Sequence, residues 1–130
     1  MIYSLLITAA PLAGHTSLTA ARFAERVLAR GHRIHRVFFL DAGTLNGAAS
    51  AVPAQDETDA RQLWQSLGRK HRLDLVLCVT SALREGMLDA TEAQRHEKPA
   101  ATTHPAFTIA GLGQLVDAWT HSDRVVTFGA

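Results

Sequence analysis

The chain has 130 residues, 47% hydrophobic and 19% charged, a balance that excludes a disordered or fibrous class and suits a single domain over residues 1–130. Its 13 Lys and Arg against 12 Asp and Glu leave a net charge of +1, with no broad positive field to attract a nucleic-acid backbone, so direct nucleic-acid binding is not expected. One cysteine excludes an internal disulfide and a Cys-rich zinc site, and a reducing, cytoplasmic compartment is its simplest home.

The uncharged stretch from Met1 to Ala21 lacks the basic start of a signal peptide and is interrupted by Pro11 and Gly14. Ile2 to Thr8 reads instead as a buried first strand, and no membrane segment is expected. A Pro/Gly loop follows, then a helix whose buried stripe is Ala20, Phe23, Ala24, Val27 and Leu28. Gly31 stops that helix, and Ile34 with Val37 to Leu40 forms the second strand. Asp41 to Gln55 holds Gly43, Asn46, Gly47 and Pro53 among small residues and is expected to be an irregular loop for function or partner binding.

Asp56, Glu57 and Asp59 suit the positive end of the next helix, whose inward stripe is Ala60, Leu63, Trp64 and Leu67. Leu73 to Val79 is a nearly continuous apolar strand, as expected when helices cover both faces of a parallel sheet. A mostly helical stretch runs from Ser81 to about Gln94. Pro99 and Pro105 punctuate the following loop, which leads into a short extra strand at Phe107 to Ile109. Leu112, Leu115, Val116 and Trp119 give the last helix its buried face, with Trp64 and Trp119 read as core or subunit contacts. Arg124 to Phe128 closes the chain as a strand. Alternation of this kind predicts a three-layer α/β/α sandwich with a mainly parallel sheet and right-handed crossovers.

In open parallel sheets, reactive groups gather beyond the C-terminal ends of the strands, which is where Cys78 falls. Ser81 is a candidate N-cap of the helix that follows, and Arg84 lies within it. The helix dipole is expected to favour thiolate and persulfide anions, Arg84 adds to this if its side chain turns toward the sulfur rather than outward into solvent, and burial opposes both. A lone strand cysteine is equally a common core residue, since free Cys is among the most buried residue types. Neither a resolving cysteine nor an evident His partner is present, so a disulfide oxidoreductase and a cysteine protease are disfavoured.

The histidines stand at positions 15, 32, 35, 71, 96, 104 and 121. No pair is separated by four on a predicted helix, and period-two alternation puts His32 and His35 on opposite strand faces, so no metal site is expected. Gly111-Leu112-Gly113 is a bare Gly-x-Gly without the third glycine of a dinucleotide fingerprint. It is better explained by tight helix entry and close packing, and no cofactor is expected.

Several segments carry a family pattern: Phe23-Ala24; Gly31-His32 before Val37-Phe38-Phe39; Gln55-Asp56-Glu57 before Trp64; Cys78-Val79 followed by Ala82-Leu83-Arg84-Glu85-Gly86; Asp89 and Glu92-Ala93; Gly111 to Leu115; and Asp123 to Val126. In this order they resemble the TusD/DsrE family over almost the whole chain. Leu40, where these proteins commonly have Tyr, and the loop Pro11 to His15 depart from the pattern.

The resemblance implies a DsrE-like fold and a sulfurtransferase whose active residue, Cys78, accepts sulfane sulfur as a persulfide. It also implies TusB-like and TusC-like subunits in a dimer of heterotrimers, a TusA-like donor and a TusE-like acceptor, serving 2-thiolation of tRNA wobble uridine. Two alternatives are a DsrE-like role in dissimilatory sulfur oxidation and a noncatalytic flavodoxin-like binding module.

Overall fold

The computed structural model describes residues 1–129. In chain order the elements are β1 (Ile2–Ile7), α1 (Thr16–Ala29), β2 (Arg33–Phe39), a 3-10 helix (Asp41–Gly47), α2 (Ala60–His71), β3 (Leu75–Cys78), α3 (Val79–Arg84), α4 (Ala90–Arg95), β4 (Phe107–Ala110), α5 (Gly113–Thr120) and β5 (Arg124–Phe128). The five strands form one sheet in the order β4-β3-β2-β1-β5, and every pairing is parallel. The extra strand expected at Phe107 is the edge strand β4.

Strands β1 to β4 step outward across the sheet, and the chain then returns to the far side of β1 for β5. Because crossovers are right-handed, that reversal sends α5 to the face opposite α1 and α2. On the first face Leu5, Ile7, Val37, Phe39, Leu75 and Leu77 pack with Ala20, Ala21 and Ala24 of α1 and with Trp64 and Leu67 of α2. On the second, Phe38, Val76 and Cys78 pack with Leu115. The helical contribution to this second buried cluster comes from α5 alone, eight residues and about 12 Å long.

Local chemistry explains the boundaries. Gly31, with φ 82°, takes the left-handed turn that ends α1. Asp59 caps α2 by accepting from the Arg61 amide, so Asp56 and Glu57 precede the helix rather than forming its first turn. The segment expected to be an irregular loop from Asp41 instead opens with the 3-10 helix, whose Gly43, Thr44, Asn46 and Gly47 are buried. Asn46 accepts from the Ser17 hydroxyl, and its Nδ2 donates to the carbonyls of Ala9 (3.1 Å) and Gly43 (2.8 Å). A Cβ on Gly43 would lie 2.1 Å from the Ile7 carbonyl oxygen, so only glycine allows this approach to β1. Arg61 then secures the rest of the loop: its guanidinium is buried, pairs twice with Asp59 (3.1 and 2.7 Å) and donates to the carbonyls of Ala48 (3.0 Å) and Ala51.

The inward reading holds for Trp64, which is fully buried, and fails for Trp119, which is 53% exposed. The buried residues of α5 are Leu115 and Ala118, whereas Leu112 (56%), Val116 (57%) and Trp119 form an outward apolar stripe.

Candidate sulfur site and relatives

Cys78 ends β3 opposite Ala110 of β4, at the C-terminal edge where the sequence puts it. The strand turns directly into α3 with no intervening loop, so Cys78 itself occupies the N-cap position, with φ −61° and ψ 125°. Ser81, expected at that cap, is the third residue of α3 and is buried. The thiol makes no capping hydrogen bond. Arg84 closes α3 at its opposite end and is exposed. Six residues of helix put it roughly 9 Å along the axis from the N-terminus, where its charge complements the carbonyl end of the dipole rather than the sulfur. The expected helical stretch to Gln94 is divided at Gly86 (φ 81°) into α3 and the separate α4, capped by Asp89.

Cys78 is 3% exposed. Its surroundings are apolar: Phe38, Val76 and Leu115 are buried with it, and Leu6, Leu40 and Ala110 border the cluster with partial exposure. Next to Ala110 the chain opens. A Cβ on Gly111 or Gly113 would meet no atom within 4 Å, and neither glycine has a positive φ, so the close-packing explanation of this Gly-x-Gly is overturned. Both glycines leave their Cβ positions open, and Gly111 directly follows Ala110, the residue paired with Cys78.

The model of the DsrE/DsrF-like family matches residues 1–128. The chain belongs to that family. Its DsrE/DsrF-like relatives include the DsrE protein of Allochromatium vinosum, 41% identical over 99% of both chains. They also include the sulfurtransferase TusD of Salmonella typhi, 40% identical over 98% of this chain and 100% of the relative, and that of Serratia proteamaculans, 40% identical over 97% and 98%. The crystal structure of the ychN protein from E. coli covers 98% of this chain and 100% of its own, with a TM-score of 0.77 at 17% identity, and so shares the fold. The DsrE-like α/β architecture and the enzyme class in the relatives' names both agree with the sequence resemblance. No helix among the described residues is long and apolar enough to cross a membrane.

A second polar cluster went unseen in the sequence. His35 Nε2 lies 2.9 Å from Asp117 Oδ2, and His121 Nδ1 lies 2.9 Å from Asp117 Oδ1. Arg36 joins them, with Nη1 2.6 Å from Asp117 Oδ2 and Nε 2.7 Å from Asp74 Oδ2. Hydrogen bonds from His35 and then Arg36 hold the Asp117 carboxyl down to about 2, so it is ionised at neutral pH. His32 lies outside β2, and a register shift in that strand breaks the alternation used to place His35: Tyr3 pairs with Ile34 and Ser4 with Arg36, leaving His35 as the extra residue.

Proposed function

We propose that this chain is a sulfurtransferase subunit that accepts sulfane sulfur as a persulfide on Cys78 and relays it to a partner protein. The observation that carries the reading is the position of the sole cysteine, at a strand end beside open backbone, in a chain 40% identical over nearly its whole length to a sulfurtransferase TusD. The Cys78 thiolate attacks the outer sulfur of a donor persulfide. The donor's sulfur–sulfur bond breaks, a new one forms on Cys78, and the donor leaves as a thiolate, with no external oxidant or reductant. Onward transfer repeats the exchange with the acceptor's thiolate. Such a carrier needs neither a metal nor a second cysteine.

Burial of the thiol makes access the controlling step. Leu40 and Ala110 border it with partial exposure, and the clear space at Gly111 and Gly113 gives a docked donor an approach from the C-terminal end of β4. The apolar stripe Leu112, Val116 and Trp119 lies along α5 and its N-cap, the helix whose Leu115 shares the buried cluster of Cys78. Its chemistry suits burial by TusB-like and TusC-like subunits of related fold, assembled as a dimer of heterotrimers. A TusA-like donor and a TusE-like acceptor complete the relay in the cytoplasm, which feeds 2-thiolation of tRNA wobble uridine. The net charge of +1 fits a subunit that hands sulfur to proteins rather than one that holds tRNA. The 41% identity to a DsrE protein supports a second reading, the same chemistry in dissimilatory sulfur oxidation.

The test is to incubate the chain, with TusB-like and TusC-like subunits, in the presence of a cysteine desulfurase, cysteine and a TusA-like donor. Intact mass should rise by one sulfur, fall again on reduction, and stay unchanged in Cys78→Ala. Failure of the wild type to load from a competent donor would overturn the carrier reading. Passage of the sulfur to a TusE-like acceptor favours the thiolation route, and loading without that passage favours the oxidation route.

A further inference from the structure

We infer that His35, Asp117 and His121 form a binding site for a divalent transition-metal ion of the zinc class. One ligating atom from each lies within 4.8 Å of the others. Tetrahedral coordination with bonds of about 2.0–2.2 Å separates ligand atoms by about 3.4 Å, so the 2.9 Å contacts that the two imidazoles make with different oxygens of Asp117 open by about half an ångström, and the wider separations in the set, none above 4.8 Å, close around the ion. Two imidazoles and a carboxylate are a donor set that suits zinc.

Three features set this cluster apart from an ordinary surface ion pair. First, the register shift makes His35 an extra residue in β2, and His35 and Arg36, adjacent in sequence, both reach Asp117 of α5. Successive residues of a regular strand point to opposite faces, so the bulge is what re-aims His35 toward α5. Second, attachment of α5 to the sheet does not need the histidines. Arg36 already spans Asp74, Asp117 and the Gln114 carbonyl, and Leu115 and Ala118 are buried beneath the helix. Third, the Arg36 guanidinium faces two carboxylates, which leaves one net negative charge to attract a cation. Arg36 on Oδ2 orients the Asp117 carboxylate while Oδ1 faces His121, the arrangement by which an outer partner steers a metal ligand.

Three protein ligands leave a fourth position for water or for a side chain from a docking protein, and the exposed ring of His121 makes that position reachable. The ion would tie β2 to α5, the helix whose Leu115 shares the buried cluster of Cys78, without using the thiol as a ligand.

The experiment uses tag-free protein in wild-type and Cys78→Ala forms, titrated calorimetrically with Zn²⁺ and followed by the visible bands of Co²⁺. We expect saturable one-to-one binding in both forms. His121→Ala and His35→Ala should each weaken it at least about tenfold, with the fold checked by circular dichroism. No saturable binding, unchanged affinity in His121→Ala, or loss of binding in Cys78→Ala would overturn the site. Because His121 is exposed, its replacement decides the matter even if His35→Ala fails to fold. The outcome is independent of sulfur loading on Cys78.

Discussion

Replacing Cys78 with serine and with alanine should have unequal costs, and the difference reports how dry the sulfur's surroundings are. The side chain is 3% exposed among Phe38, Val76 and Leu115. Alanine removes one buried heavy atom, costing about 1 kcal/mol. Serine loses the same apolar contact and also buries a hydroxyl, and an unpartnered one costs about 1–3 kcal/mol. Opposing this, serine at the N-cap of α3 is intrinsically favourable by about 1 kcal/mol if its oxygen reaches an α3 amide. The thiol makes no such bond, so the burial cost should win and Cys78→Ser should be the less stable variant by about 1–2 kcal/mol. Urea denaturation of wild type and both variants measures this directly, with equal m-values as the check on two-state unfolding. A Cys78→Ser variant as stable as Cys78→Ala would refute the reasoning, because the hydroxyl would then have found the helix amides or water. Cys78→Ala is therefore the better loading control.

Other consequences are open to the same kind of test. Arg61→Met leaves the buried Asp59 without its counter-charge and should cost about 3–5 kcal/mol in denaturant unfolding, whereas Asp59→Leu combined with Arg61→Met should recover much of it. A single-variant loss below about 1 kcal/mol would show that the loop after Gly47 is not held by Arg61. Trp119→Ser should change monomer stability by no more than about 0.5 kcal/mol because the ring is exposed, yet weaken association with the TusB-like and TusC-like subunits in sedimentation. Unchanged association would remove the stripe from the interface. The Asp117 carboxyl, held at about 2 when folded, contributes stability that is present above its ordinary value of about 3.9 and lost as pH falls through about 2. Asp117→Asn, with a chelator present, should flatten the decline in melting temperature between about pH 4 and pH 2, and an undiminished slope would contradict that assignment.

The strands were legible because continuous apolar runs leave little choice: the run read as Leu73 to Val79 contains β3, which spans Leu75–Cys78, and β5 begins and ends where its pattern does. The place of Cys78 was legible for a related reason, since an apolar run that stops before a helical segment puts its last few residues at the sheet edge, although the strand ends at Cys78 and Val79 already belongs to α3. The last helix was misread because Leu112, Leu115, Val116 and Trp119 are apolar at helical spacing on more than one side of the helix. Hydropathy does not distinguish a stripe facing the chain's own sheet from one facing a partner, and small Ala118 takes the inward place instead. Ser81 was placed at the cap because serine is a favoured N-cap residue, whereas the backbone turns within Cys78 itself. The polar cluster escaped because period-two reasoning fails at a bulge. Nothing in the letters around His35 announces the extra residue, and its partners Asp117 and His121 come from a helix and its C-cap far away in sequence.

The central claim is that sulfur resides on Cys78, and its most direct test is to locate the added atom. After loading from a persulfide donor, free persulfides are alkylated, the protein is cleaved, and the peptide containing Cys78 is sequenced by tandem mass spectrometry. The account predicts one additional sulfur on Cys78, between the cysteine and the alkyl group, lost when reduction precedes alkylation. Unmodified Cys78 in a preparation that still delivers donor sulfur to an acceptor would contradict it.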